Sequence, residues 1–143
     1  MIFKTIIEEE TLNHNKRIYK SGCLEKIKSI LDERIKNKTA FVGFGEFVQS
    51  DLDLKDAYGY VTSFDIVDGQ GVLNIEFLET DKKLALISLA SYLNIDFNVL
   101  MDAVQRDDNF NQIIYPNNIK DICGIRFMNV NQLHPDSAMV VGV

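Results

Sequence analysis

Two stretches of alternating apolar residues meet at Asp68-Gly69-Gln70-Gly71, and this junction constrains the chain more than any other feature. Before it, Tyr58, Tyr60, Phe64 and Ile66 recur at period two; after it, Leu73, Ile75 and Phe77 share one face. Period two is the side-chain repeat of a strand, and Asp and Gly tolerate the positive φ that a tight hairpin requires. A long antiparallel hairpin is therefore expected at the centre of the chain. Phe41, Phe44 and Phe47, spaced around Gly43 and Gly45, extend the β pattern back to Thr39. The glycines fit a bend or bulge, since no GK[ST] and no helix follows as a phosphate loop would need.

Helical periodicity flanks this region. Leu24, Ile27, Leu31 and Ile35 form one apolar stripe, predicting a helix over about residues 23–37 that begins at Ser21-Gly22 and turns a charged face to water. After Thr80 or Asp81, either of which can cap a helix, Leu84, Ile87 and Ala90 with Leu86, Leu89 and Leu93 make an apolar surface too broad for a surface stripe. That width predicts a helix buried on two sides, in or across the core. Ile2 to Glu9 fits a strand, Thr11 to Ser21 an asparagine-rich loop, and Asp121 to Val130 a strand. Asp96 to Val104 fits strand or helix, and Asp107 to Asn118 reads as loop. With short hairpins and no βαβ rhythm, this order predicts an α+β fold: a small bent antiparallel sheet or barrel flanked by helices. There is no repeat, low-complexity tract or linker, and the prolines are Pro116 and Pro135, so residues 1–143 read as a single domain. At 143 residues, 46% of them hydrophobic, a core forms without disulfide or metal staples.

Charge and chemistry narrow the function classes. Fifteen Lys plus Arg against 21 Asp plus Glu leave a net charge of −6, which repels polyanions and argues against nucleic acid or an anionic membrane as partner. No run approaches the length of a membrane span, and Glu8, Glu9 and Glu10 stand where a signal peptide needs its apolar stretch; a soluble, unexported protein is expected. The three glutamates read as strand-end solubility charges. Cys23 and Cys123 lack a CxxC or a histidine at zinc-ligand spacing and read as small buried or half-buried residues in a reducing compartment. Asp51, Asp53 and Asp56 lack the glycine and distal glutamate of a calcium loop and read as solvated. His14 lies in the polar loop. His134-Pro135-Asp136-Ser137 holds the residue types of a serine triad, but groups so close in sequence do not converge on one reacting atom, and the run reads as a turn. Ser88 and Ser91 fall on the second helix with no base assignable to them. Neither a catalytic set, a metal site nor a cofactor site is expected.

Several segments, taken in order, resemble the prohead maturation proteases of tailed bacteriophages, whose fold is shared with herpesvirus capsid proteases. Asn13-His14-Asn15-Lys16-Arg17-Ile18-Tyr19 is similar to that family's N-x-N-x-R-x-Y signature between a first strand and a helix. Gly45-Glu46 resembles the Gly-Glu closing the next segment, Tyr58 to Asp68 the strand that opens the central hairpin, and Phe77 to Lys83 the family's Ile-Leu-Asp-Thr with a following Gly-Lys. The matches cover roughly residues 10–85; Asp121 to Ser137 follows the last strand and Pro-Ser turn more loosely.

The departures bear on activity. The family places a histidine in the strand opening the hairpin, where this chain has Tyr58 and Tyr60, and a serine nucleophile after the second helix, where Asn94 to Val99 contains none. Phe47-Val48-Gln49 replaces the His-Pro that often follows Gly-Glu. A tyrosine, ordinarily of pKa about 10, is no base for a serine at neutral pH. The resemblance thus implies a non-catalytic relative: a capsid-associated protein of the virion, assembled in the host cytoplasm, that binds the major capsid protein, other virion proteins or its own copies. Phe41 to Phe47 and the acidic loop Asp51 to Asp56 are the candidate contact segments. The alternative is an active serine endopeptidase processing scaffold and capsid precursors.

Overall fold

A computed structural model describes residues 2–5, 7–13, 15–44, 54–89, 93–129 and 139–141. The hairpin lies where the alternation places it: β4 (Gly59–Val67) and β5 (Gln70–Phe77) are joined by Asp68-Gly69, both at positive φ. Its two faces are set differently from the simple alternation. The register shifts between Val61 and Ser63, so the buried side changes phase from Gly59 and Val61 to Phe64. Tyr60 therefore does not share the buried face with Phe64, because a bulge at Thr62 flips every side chain before it.

Five further strands complete a closed barrel: β1 (Ile2–Thr5), β3 (Phe41–Phe44), β6 (Leu93–Met101), β9 (Ile119–Asn129) and β10 (Met139–Val141). The order round the ring is β1-β10-β6-β9-β3-β4-β5, and β5 closes onto β1 with Phe3 opposite Leu73. All neighbours are antiparallel except β3 and β9, which run parallel. The expectation of antiparallel pairing fails at this seam for a topological reason: an odd ring of strands cannot alternate direction all the way round. The core is apolar and aromatic, with Phe3 and Phe127 centroids 6.1 Å apart and Phe77 stacked on Phe127 at 5.5 Å.

Helix α1 (Cys23–Lys36) packs against β4 and β9, burying Cys23, Leu24, Ile27 and Leu31 as its stripe dictates. Arg34 fastens it to β9 by a two-pronged contact with Asp121, at 3.2 and 2.8 Å. Lys28 donates to the Phe64 carbonyl of β4 at 2.8 Å. Gly22 precedes the helix at φ 97°, and a Cβ there would stand 2.9 Å from Pro116 Cγ.

A second, three-stranded sheet takes two of its strands, the first and the last in chain order, from segments that read as loop. It consists of β2 (Arg17–Tyr19), β7 (Gln105–Arg106) and β8 (Gln112–Ile114), with β2 parallel to β8. Strands of two or three residues are too short to show a period, which is why alternation missed them. Pro116–Asn118 form a 3-10 turn before β9.

The second helix corrects the sequence reading most sharply. α2 (Lys83–Ser88) has only six residues, begins after Lys82 without a side-chain cap from Thr80 or Asp81, and buries Leu86 alone. Leu84 is 77% exposed, Leu89 51% and Ile87 42%. Fewer than two turns give a single inward position, so its apolar breadth faces outward. Among the described residues no helix is long and apolar enough to cross a membrane.

Candidate functional site

Asn13 organises the segment that leads into the site. Its Oδ1 accepts from the backbone N–H of Asn15 (2.9 Å) and of Arg17 (3.0 Å), turning the chain into β2. Arg17 Nε then donates to Gln112 Oε1 at 2.7 Å, locking β2 to β8. Tyr19, at the end of β2, is 1% exposed, and its Oη has no hydrogen-bond partner among the described residues. Burial pushes its phenol well up; Arg17 opposes the rise, while Cys23 and Asp96 add to it. The signature-like run is thus explained locally by an Asx turn, a strand lock and an aromatic anchor.

Two of the three glutamates before it, Glu9 and Glu10, have structural partners, whereas Glu8 is exposed. Glu9 Oε2 accepts from Leu24 N–H at 3.1 Å and so caps α1 from outside the helix. Glu10 accepts from Ser21 N–H and binds Lys20, each at 2.7 Å, which holds its carboxyl below the ordinary value.

Asp96 lies on β6, directly opposite Arg126 of β9. Arg126 Nη2 donates to Asp96 Oδ2 at 2.8 Å, with the two side chains 1% and 3% exposed. Arg126 Nη1 also donates to the Gly124 carbonyl at 2.8 Å, and Asp96 Oδ1 accepts from Phe97 N–H at 2.9 Å. Burial draws the guanidinium pKa down and Asp96 opposes it, but an arginine keeps its proton throughout the physiological range. Asn94 is buried two residues before Asp96. The strand in which the family resemblance expects a serine therefore presents amides and an ion-paired carboxylate.

An open apolar groove lies between the start of this strand and the start of β4. Phe44, Tyr58, Lys82, Ala85, Leu86, Leu89 and Leu93 line about 200 Å³, with Tyr58 edge-on to Phe44 at 6.0 Å between centroids. Tyr60 faces elsewhere, into a hollow of about 580 Å³ beside Ile35 and Lys38. Glu76, paired opposite Tyr60, raises the phenol pKa by hydrogen bonding. Among the described residues Lys82 is the single charged one lining the smaller groove, whose surroundings are otherwise apolar.

Of the other sequence candidates, Ser88 is exposed at the end of α2, and Asp56 is exposed in a 3-10 turn, Leu54–Asp56. Phe41 is half-buried in β3 and Phe44 is exposed at its end. His14, Gly45, Glu46, Phe47, Asp51, Asp53, Ser91, His134, Pro135, Asp136 and Ser137 lie outside the described residues. Cys23 and Cys123 are buried, and burial pushes the Cys23 thiol up to about 12. Among the described residues no group of three or more His, Cys, Asp or Glu is placed to hold a metal. Sequence reading missed the Asp96–Arg126 pair. Its signal was polar residues at alternate positions 94, 96 and 98 of an apolar run, and one arginine inside Ile122 to Met128.

Barrel order and helix placement define a prohead-protease-like fold, as the motif order implied. The solved structure of the bacteriophage T4 capsid assembly protease, gp21, matches it with a TM-score of 0.65 at 17% sequence identity, over 99% of this chain and 82% of that one. No protein-family model matches the chain, and no curated protein sequence does.

Proposed function

We propose that this chain is a non-catalytic, capsid-associated structural protein of a tailed bacteriophage, an auxiliary protein that binds the major capsid protein through a fold of protease type. The capsid context comes from the likeness to a capsid assembly protease. The observation that carries the non-catalytic reading is the occupancy of β6. Asn94 and Asp96 stand on the strand that would supply the nucleophile, and Asp96 is committed to Arg126 at 2.8 Å in a buried pair. Tyr58, on the facing segment, packs on Phe44 beside an apolar groove. A carboxylate consumed by a buried arginine neither attacks a peptide bond nor takes up a proton at neutral pH. Exposed aromatic and aliphatic side chains at a groove are instead the usual anchors of protein–protein contacts.

Two measurements test this reading together. Purified mature heads should contain the protein in many copies, and it should leave capsid and scaffold precursors uncut on prolonged incubation. Specific cleavage abolished by a serine-directed inhibitor overturns the proposal in favour of an active maturation protease. Absence from mature heads combined with presence in precursor heads overturns the structural role.

A further inference from the structure

The loop between β7 and β8 presents an aromatic side chain to water in an unusually fixed way. Phe110 is 72% exposed and sits at φ 63°, in the left-handed region that bulky residues avoid. The loop around it is held from both sides. Asp107 Oδ1 accepts from the N–H of Asn109 and of Asn111, both at 2.9 Å, while Arg106 Nη1 donates to the Phe110 carbonyl at 3.1 Å. The ring is therefore offered on a pre-organised support, which lowers the ordering cost of inserting it into a partner. Two residues earlier on the same loop, Asp108 is also exposed.

The groove under α2 has the complementary properties. Its volume of about 200 Å³ exceeds the roughly 150 Å³ apolar cavity known to take up a benzene ring. Leu86, Leu89 and Leu93 supply an aliphatic lining, Phe44 and Tyr58 an aromatic wall for an edge-on or offset ring, and Lys82 a cation at the margin. Phe110, being exposed, does not fill the groove of its own chain. An exposed phenyl ring flanked by an anion and an open groove flanked by a cation thus occur on one molecule.

We propose that copies of this chain associate head to tail, Phe110 of one copy seating in the α2 groove of the next with Asp108 against Lys82. Such a contact joins two different patches, so it propagates into a ring or a row. One aromatic anchor gives weak pairwise affinity, and repetition on a regular shell strengthens it through avidity. This inference rests on the reading of the chain as a binding protein, but its test needs no capsid component.

Analytical ultracentrifugation of the purified full chain up to roughly 1 mM, the scale of weak association, should show a sedimentation coefficient that climbs with concentration and falls back in high salt. Phe110→Ala removes the anchor and Ala85→Glu obstructs the groove; each alone should weaken association at least tenfold. An equimolar mixture of the two should form a complex that stops at two chains, because only one anchor and one groove remain. Leu89→Lys obstructs the same groove should Ala85→Glu fail to keep the wild-type circular dichroism spectrum. A wild type that stays monomeric, a single variant that associates like wild type, or a mixture that stays monomeric overturns the proposal. A monomeric protein that still binds capsids refutes this contact and leaves the binding function standing. A self-associating protein that cleaves precursors does the reverse.

Discussion

Asp96→Asn is the most decisive perturbation of the barrel. The carboxamide keeps the shape of the side chain but removes its charge, leaving the Arg126 guanidinium 1% exposed with no carboxylate opposite. Arginine does not escape by losing its proton, so the cost of a buried, uncompensated charge falls on the folded state, about 3–5 kcal/mol when one partner of such a pair is removed. Against a total stability of roughly 5–15 kcal/mol this is a large fraction. With an m-value of about 2 kcal/mol/M in urea, a loss of 4 kcal/mol moves the unfolding midpoint down by about 2 M. At roughly 3 °C per kcal/mol for a chain of this size, Tm falls by about 12 °C. Circular dichroism during urea and thermal unfolding reads both quantities. The double variant Asp96→Leu with Arg126→Met removes both charges and should return to within about 1 kcal/mol of wild type or exceed it, since well-packed apolar replacements of buried pairs are often neutral or stabilising. A loss below about 1 kcal/mol in Asp96→Asn, or a double variant no better than the single, refutes the assignment of a buried, mutually compensating pair.

Three further outcomes follow from the local geometry. Gly22→Ala forces a Cβ against Pro116 at φ 97° and should cost about 1–2 kcal/mol or more in urea unfolding, where an ordinary surface Gly→Ala is neutral. Glu9→Gln weakens the cap on Leu24 N–H and should cost about 0.5–2 kcal/mol, with faster hydrogen exchange confined to the first turn of α1. Asp107 is held below its ordinary value by hydrogen bonds from Asn111 and Asn109, so its contribution is complete above the unfolded value of about 3.9 and is lost as pH falls through the lower folded value. The amide resonances of Asn109 and Asn111 should therefore titrate with a midpoint below that of an unfolded aspartate, and a midpoint at or above it contradicts the loop clamp.

The hairpin was legible because Asp68-Gly69 and the alternation around it are local signals that agree with each other. The helical stripe from Leu24 to Ile35 was legible for the same reason. The phase change at Thr62 was not, because a bulge inserts one residue without altering composition. The burial of α2 was misread because apolar breadth records how many faces could be covered, whereas the six-residue length of Lys83–Ser88 limits how many are. In the small sheet, Arg17–Tyr19 pairs with Gln112–Ile114 across nearly a hundred residues, to which no window along the chain is sensitive, and the local pair of Gln105–Arg106 with Gln112–Ile114 is too short to show a period. At the site, the lack of serine from Asn94 to Val99 was legible as a departure from the pattern the resemblance implies. The charge that lies there was not, because Asp96 and Arg126 are separated by 30 residues and meet only through strand register.

The closure of the ring also sets the order in which the protein becomes complete. β1 is flanked by β5 on one side and by β10, whose Val141 lies opposite Phe3, on the other. At the roughly 5–20 residues per second of synthesis, β10 leaves the ribosome on the order of ten seconds after β1. Until then β1 presents an unpaired edge of backbone donors and acceptors, as does β6 once it has been made, the arrangement most prone to pairing with another nascent chain. A polysome making many copies at once is thus the place where this barrel is most exposed to misassembly, and the three residues Met139–Val141 are what end the exposure.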